Sequence, residues 1–251
     1  PMIHDCAITA RYVVILDLPV TFSLPAAMAG KPFPYRWNPQ HRARVGLLPR
    51  TGAASDVIWC DVEPCSVFHV ANAYDRADGA VIMDVCAYGT MFGPEAVGPD
   101  GAARGLERWT IDPVTGTVAI ATIDSTPQEF PRPDERRFGQ PYRYAYAMAV
   151  PTDPAAEFIG DTRLFRHDLV EGTRQVHDFG PRRHPGEFVF VPASEDAAEG
   201  EGWLVGFVVD MANDTTDFVV LDAMRFEDPP VGVVHLLHRV PAGFHGNWVP
   251  G

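Results

Sequence analysis

Three of the nine histidines stand in apolar contexts that are unusual for an imidazole: His4 in MIHDCAIT, His69 in FHVANAY and His245 in GFHGNW. Each follows a bulky apolar residue, which suits an imidazole at a strand end that points into a cavity. Neutral imidazoles leave the full charge on a divalent metal and suit iron, zinc or copper. For His69 alone, a core histidine with ordinary hydrogen bonds is the competing interpretation. The other histidines lie in polar or hairpin contexts and are assigned surface or structural roles: His41, His167, His177, His184, His235 and His238.

Two glutamates adjoin apolar, strand-like runs, where a carboxylate is costly unless it is paired. Glu129 lies in QEFPR and Glu187 in PGEFVFVP. A metal-bound imidazole needs its outer N–H held, commonly by a carboxylate, and these acids are candidates for that task. The competing interpretations are a salt bridge from Glu129 to Arg132 and a solvent-facing strand start for Glu187.

The elements that must position these residues are β-strands almost throughout. Short β-branched and aromatic runs are punctuated by Gly, Pro, Asp and Asn. We expect no long helix, and Ala26–Gly30 is at most one helical turn. The Pro-rich segments Pro25–Pro39 and Pro127–Pro141 are expected to be long surface or active-site loops. Strands are predicted at Tyr12–Leu18, Ala80–Tyr88, Val118–Ile123, Tyr142–Val150, Phe188–Pro192, Trp203–Asp210, Phe218–Arg225 and Val231–Arg239.

A loose repeat of hairpin-like segments favours a β-propeller. The segments are NAYDRADGAVIM, WTIDPVTGTVAI, FRHDLVEGTRQV and VVDMANDTTDFVV, and the first three share an Asp shortly before a Gly. Their centres lie roughly 40 to 55 residues apart, the spacing of one four-stranded blade. A two-sheet sandwich is the alternative. A propeller could bring the three distant histidines together, because its inner strands converge on one axis.

Composition excludes several classes of partner. The net charge of -13 and the pI near 5.0 argue against nucleic acid and against adsorption to anionic lipid. No apolar run reaches the roughly 18 residues that span a bilayer. Cys60 and Cys65 lack a second close pair, so buried free thiols in a reducing compartment are preferred over a metal loop. We therefore expect a cytoplasmic protein. The start at PMIHD, with no initiating Met or basic leader, predicts that the chain begins inside a longer protein.

Five segments, in order, resemble the C-terminal half of the carotenoid cleavage oxygenases, a family that includes stilbene-cleaving dioxygenases. They are MIHDCAITARYVVILDLPV, WCDVEPCSVFHVANAYD, EFPRPDERRFGQPYRYAYA, HPGEFVFVP with WLVGFVVD, and GFHGNW, and they cover the chain nearly end to end. The resemblance implies an all-β fold that is part of a seven-bladed β-propeller. Residues 1–251 would form a single domain, the C-terminal part of a propeller whose N-terminal half is absent.

The resemblance also implies an iron site and a reaction. Family members hold Fe(II) with four histidines, and His4, His69 and His245 match three of them. The remaining ligand would lie in the absent half, so the isolated chain is expected to be inactive and to bind iron weakly. The implied partners are O2 and a small apolar conjugated substrate, whose double bond is cleaved to two carbonyl products. Asp5 is expected to fix a turn, because the family keeps carboxylates off the metal.

Further roles follow from the same resemblance. Glu129 is assigned to accept a hydrogen bond from His69, and Glu187 from His245. Phe68 matches a position that faces the substrate cavity. Two other functions stay open on the residues alone: a metal-dependent hydrolase on a propeller scaffold, and a non-catalytic propeller binding protein.

Overall fold

The structure is a computed structural model, and it describes residues 1–96, 99–152, 160–241 and 244–249. The chain divides into two compact units. Unit 1 is Pro1–Thr126 with Phe138–Pro141, and unit 2 is Pro127–Arg137 with the chain from Tyr142 onward. A propeller is built of separate sheets, so a division into compact units is compatible with one. That residues 1–251 form a single domain stays a prediction. No helix in the described part of the chain is long and apolar enough to cross a membrane.

Unit 1 contains two antiparallel four-stranded meanders joined into one eight-stranded sheet. The first meander is β1 (Cys6–Ile8), β2 (Tyr12–Asp17), β5 (Arg44–Pro49) and β6 (Ile58–Asp61). The second is β7 (Ser66–Asp75), β8 (Val81–Tyr88), β9 (Ala103–Asp112) and β10 (Thr117–Asp124). Their last strands, β6 and β10, meet at one parallel pairing between Thr117 and Asp61. Each meander has the strand sequence of a propeller blade.

A small insertion separates β2 from β5. It consists of the paired strands β3 (Val20–Phe22) and β4 (Tyr35–Trp37) with helix α1 (Leu24–Met28) between them, and a short 3-10 helix, Ala54–Asp56, follows β5. The Ser23 hydroxyl accepts a hydrogen bond from the Ala26 N–H at 3.3 Å, which caps the helix. The prediction of a loop over Pro25–Pro39 is therefore wrong in part, because a helical turn and a strand occupy much of it.

Unit 2 contains two further antiparallel four-stranded sheets. One is β11 (Gln128–Pro133), β12 (Tyr144–Ala149), β13 (Arg163–Asp168) and β14 (Thr173–Asp178). The other is β15 (Arg183–Pro192), β16 (Gly202–Asp210), β17 (Thr215–Asp222) and β18 (Gly232–Leu236). The loop predicted over Pro127–Pro141 contains β11 and a 3-10 helix, Glu135–Arg137, so that prediction is wrong in part. Proline is tolerated in β11 because β11 is an edge strand of its sheet.

The four predicted hairpins are confirmed as β7–β8, β9–β10, β13–β14 and β16–β17. The strand predicted over Phe218–Arg225 ends earlier. The Asp222 carboxylate accepts hydrogen bonds from the N–H groups of Met224 and Arg225, at 2.9 and 3.1 Å, and this turns the chain away from the sheet. The predicted all-β character is confirmed.

Each unit has its own apolar core. In unit 1 the core contains Trp109 and Met83, and in unit 2 it contains Tyr146 and Phe188. Unit 1 also holds a smaller cluster, here called the aromatic cluster, which consists of Val20, Phe68, Tyr88, Met91 and Phe92.

Candidate metal centre

The first strand of three of the four meanders carries a β-bulge, and four of the predicted site residues lie at or beside these bulges. The register shifts between Val67 and Val70 in β7, between Glu129 and Arg132 in β11, and between Pro185 and Phe188 in β15. A bulge bends the strand and redirects a side chain out of the regular alternation. Phe68, His69 and Glu187 fall within bulges, and Glu129 borders one. Alternation of apolar and polar residues alone could not have indicated this geometry.

In unit 1, two of the predicted ligands lie side by side. The ring centroids of His4 and His69 are 5.0 Å apart, with the ring planes at 88°. His4 Nδ1 lies 3.1 Å from the backbone oxygen of Phe68. Because a carbonyl oxygen can only accept, the proton of a neutral His4 is on Nδ1, and Nε2 then carries the lone pair that a metal ion requires.

Asp5 connects the two histidine segments through the backbone. Its Oδ1 accepts a hydrogen bond from the Cys6 N–H at 2.7 Å, and its Oδ2 accepts one from the Val70 N–H at 2.9 Å. The first bond is local, to the first residue of β1, and the role of Asp5 in fixing a turn stays a prediction. The second reaches β7 at the residue that follows His69, so Asp5 does more than the sequence indicated.

Phe68 is buried between His4 and the rest of the aromatic cluster. Its ring centroid lies 5.1 Å from that of His4, 5.7 Å from Tyr88 and 6.4 Å from Phe92. An apolar surface therefore adjoins the imidazole pair. Direct contact between Phe68 and a substrate stays a prediction.

In unit 2, Glu187 faces His245. Glu187 Oε1 is 3.2 Å from His245 Nδ1, and Glu187 Oε2 accepts the Gly246 N–H at 2.9 Å. The Glu187 side chain is only 3% exposed, so the solvent-facing alternative is wrong. An ionised carboxylate can only accept, which again places the imidazole proton on Nδ1. The two residues that the sequence paired are thus in contact, while their role toward a metal stays a prediction.

Arg132 joins this group, and sequence reasoning, which considered it only as a partner of Glu129, missed its contact with Glu187. Its Nη1 lies 3.4 Å from Glu187 Oε1, and its Nη2 donates to Glu135. The salt bridge from Glu129 to Arg132 that the sequence left open is therefore not the one that forms. A buried carboxylate in β15 needs a cation nearby, and that need was the available signal for an arginine.

Glu129 is completely buried at the β11 bulge. Its Oε2 accepts the N–H of Phe130 at 2.8 Å, and Phe130 adopts a left-handed φ of 51°. Such a backbone conformation costs free energy and is concentrated at functional sites. Glu129 and His69 belong to different units, so their pairing stays a prediction, and so does the convergence of His245 with the unit 1 histidines.

The donor groups fit an iron ion in chemical type. Two imidazoles in unit 1 and one in unit 2 have Nδ1 or ring contacts that would orient them, and imidazole is a ligand that suits iron. Within the described ranges, no three or more His, Cys, Asp or Glu side chains are grouped so that they could hold a metal. The structure thus shows His4 and His69 side by side, and the complete set of metal ligands stays a prediction.

Several of the remaining histidines make hydrogen bonds within the fold. His41 Nε2 lies 2.6 Å from Asp17, and His235 Nδ1 lies 2.7 Å from Asp217. His177 is buried and donates to the Phe226 carbonyl oxygen at 2.8 Å. These contacts agree with the structural roles assigned to them.

The cysteines are all free thiols, and three of them, Cys60, Cys65 and Cys86, are buried. Burial raises the pKa of Cys65 to about 12, which makes this thiol a poor metal ligand and nucleophile. The expectation of buried free thiols is confirmed for Cys60 and Cys65, while Cys6 is exposed on the outward face of β1.

Comparison with known proteins places the chain in a family. The protein-family model described as retinal pigment epithelial membrane protein (RPE65) matches residues 1–250 of the chain. The chain belongs to this family. The predicted resemblance to carotenoid cleavage oxygenases is confirmed by a relative of that name in Mycobacterium tuberculosis, 37% identical over 297 residues, which cover 100% of this chain and 58% of the relative. The apocarotenoid-15,15'-oxygenase of Synechocystis is 32% identical, with 98% of this chain and 51% of the relative covered.

Solved structures of the family show the same fold. A cobalt-substituted Synechocystis apocarotenoid oxygenase matches with a TM-score of 0.87 and 31% identity, covering 100% of this chain and 53% of that one. A lignostilbene dioxygenase from Pseudomonas brassicacearum matches with a TM-score of 0.86 and 29% identity, covering 100% of this chain and 55% of that one. The predicted fold class, all-β and part of a propeller, is confirmed. The chain spans about half the length of the family members that it matches.

Proposed function

We propose that the full-length protein containing this chain is a non-haem Fe(II) dioxygenase. It cleaves a conjugated carbon–carbon double bond of an apocarotenoid or stilbene-type substrate with O2 and releases two carbonyl products. The observation that carries the proposal is the His4–His69 pair, with ring centroids 5.0 Å apart and the His4 proton held on Nδ1 by a carbonyl oxygen. The names of the relatives, which include carotenoid, apocarotenoid and lignostilbene oxygenases, support this substrate class.

His4, His69 and His245 would hold the iron in this proposal, together with one ligand from outside the chain. When bound, Fe(II) supplies the redox chemistry by which O2 reacts with an alkene. The acceptors at Nδ1 have a separate task. They keep each imidazole in the tautomer whose Nε2 can bind a metal, and they fix the plane of the ring.

The carboxylates serve as acceptors in this proposal, not as ligands. Glu187 holds the Nδ1 proton of His245 at 3.2 Å, and Glu129 would hold that of His69. Asp5, the acid next to His4, directs both oxygens to backbone N–H groups. We expect a metal-dependent hydrolase to use a ligating carboxylate at the site, and the engagement of Asp5 with backbone N–H groups favours the dioxygenase.

The apolar surroundings would select the substrate. The aromatic cluster, of which Phe68 is the member next to His4, has ring faces and edges that suit a polyene or an aryl alkene. They would also exclude water from the double bond. Phe68 is the residue that we assign to direct substrate contact.

The test is to incubate the full-length protein with Fe(II) and O2 and with a panel of apocarotenoids and hydroxystilbenes. We expect paired carbonyl products from a single double bond, and isotopically labelled O2 should place one oxygen atom in each product. A histidine variant outside the proposed site, His41→Ala, should keep the activity, because His41 contacts Asp17. Hydrolysis of an ester or lactone, without O2 consumption on any alkene, would contradict the proposal.

We also place the protein in the cytoplasm, where the three buried thiols would stay reduced. Fractionation of source cells tests this. The isolated chain should bind iron weakly and be inactive, because one ligand of the proposed site is outside it. A purified chain of 251 residues that retains one tightly held iron would contradict this expectation.

A further inference from the structure

Strand β1 packs beside β7. Hydrogen bonds to a carboxylate join the two chain segments at each end of this contact. At the histidine end, Asp5 Oδ2 accepts the N–H of Val70 at 2.9 Å. At the other end, Asp75 Oδ2 accepts the N–H of Arg11 at 3.0 Å, and Asp75 Oδ1 accepts the Thr9 hydroxyl at 3.1 Å. A carboxylate accepts a backbone N–H at each end. The Asp75 end has in addition an ion pair with Arg11 at 3.0 Å, and only the Asp5 end adjoins imidazoles.

The Asp5–Val70 hydrogen bond has a particular relation to the histidines. Asp5 follows His4 directly, and Val70 follows His69 directly. Val70 also lies between two register shifts of β7, where the pairing with β8 is irregular. The position of His69 relative to its neighbours is therefore not fixed by a regular ladder alone.

A second contact completes the arrangement. His4 Nδ1 donates to the carbonyl oxygen of Phe68, the residue that precedes His69. The His4–Asp5 segment is thus hydrogen-bonded to β7 on both sides of His69, at Phe68 and at Val70. Two bonds that flank one residue restrict both the distance and the rotation between the segments.

We propose that Asp5 is a positioning residue that sets the separation of the His4 and His69 imidazoles. It acts through backbone N–H groups and not as a metal ligand. The inference rests on the proposed metal role of these two histidines. The carboxylate is suited to the task because one side chain accepts from Cys6, the first residue of β1, and from Val70 in β7.

The decisive variant is Asp5→Asn in the full-length protein, with Asp75→Asn as the matched control. An amide has one acceptor oxygen, and its NH2 group would face a backbone N–H, so one of the two bonds is lost. We expect Asp5→Asn to weaken Co(II) binding by roughly 10- to 100-fold, the range for residues that orient metal ligands. Asp75→Asn should bind Co(II) as the wild type does, although it loses a comparable tie between the same strands.

Two readouts that need no turnover accompany the titration. The visible Co(II) spectrum reports ligand geometry, and it should change in Asp5→Asn alone. Amide hydrogen exchange in the metal-free protein should rise around Val70 in Asp5→Asn and around Arg11 in Asp75→Asn. If Asp5→Asn folds poorly, Asp5→Ser is the second variant. Its single, shorter hydroxyl cannot accept from both Cys6 and Val70, so its Co(II) affinity should also fall below that of the wild type.

Equal Co(II) affinity and equal spectra in Asp5→Asn and wild type would overturn the inference and leave the proposed function intact. Equal losses in Asp5→Asn and Asp75→Asn would also overturn it, since the effect would then be one of general stability. A wild-type protein that binds neither Co(II) nor Fe(II) would instead overturn the proposed function.

Discussion

The two units orient an imidazole in different ways. In unit 1, His4 donates its Nδ1 proton to a backbone carbonyl oxygen, that of Phe68, at 3.1 Å. In unit 2, His245 faces the carboxylate of Glu187 at 3.2 Å. The distances are nearly equal, but the acceptor is neutral in one unit and ionisable in the other.

The difference determines what each arrangement requires from its surroundings. A carbonyl oxygen needs no counter-charge, and it is well placed only if two backbone segments are held in register, which is the task of Asp5. A carboxylate that is 3% exposed must be stabilised by donors, and Glu187 has Arg132 and the Gly246 N–H for this. Unit 1 therefore depends on backbone position and unit 2 on side-chain charge.

Glu187→Gln should have the largest effect, because it removes the charge on which the unit 2 arrangement depends. We expect a 10- to 100-fold loss of metal affinity in the full-length protein, about 1.4 to 2.7 kcal/mol. Glu199→Gln is the control, since Glu199 is a carboxylate of the same unit that accepts the N–H groups of Arg143 and Tyr144. Wild-type iron content in Glu187→Gln would show that charge is not what orients His245.

Glu129→Gln tests whether unit 2 also supplies the acceptor for a unit 1 histidine. Glu129 is completely buried, and its Oε2 accepts the Phe130 N–H at 2.8 Å. Glutamine can keep that bond but loses the charge, so we expect roughly a tenfold fall in metal affinity, the lower end of the range for such acceptors. Metal titration with the Glu199→Gln control measures it. An unchanged affinity would separate Glu129 from His69.

Arg132→Met should have a smaller effect of the same sign. The methionine keeps the apolar stem and removes the cation near Glu187, while the Gly246 N–H and His245 continue to hold the carboxylate. We expect a loss of metal affinity of a few-fold, because the contact is long, at 3.4 Å, and partly exposed. Arg132→Lys should recover part of it. A loss as large as that of Glu187→Gln would mean that Arg132 is the main support of the group.

The smallest effect concerns a turn. Gly79, Gly116 and Gly172 supply the positive φ in three of the hairpins, whereas Asp214 has a φ of 54° in the β16–β17 hairpin. Asp214→Gly should relieve this strain and raise the free energy of unfolding by at most about 1 kcal/mol, offset by the greater freedom of glycine when unfolded. Its exposed contact with Arg239, at 3.6 Å, contributes little. Thermal unfolding measures the change, and a marked loss of stability would contradict it.

Local patterns predicted the strands and hairpins well, because turn residues and β-branched runs act over a few positions. They failed over Pro127–Pro141, where β11 forms despite its prolines. Proline excludes a strand only where its missing N–H is needed, and an edge strand does not need it on its outer side. Whether a strand lies at an edge is decided by which sheets form, and the segment alone does not contain that information.

The sequence by itself determined the all-β class, the family and the residue types of the candidate site, since these depend on composition, local periodicity and ordered motifs. It also paired Glu187 with His245 through the family resemblance. Only the tertiary structure showed the bulges that redirect His69 and Glu187. It also showed the contact of Arg132 with Glu187 and the hydrogen bond from Val70 to Asp5, which join residues 55 and 65 positions apart. Their partners are set by strand register and by the need to satisfy buried polar groups, and both come into being only when the sheets assemble.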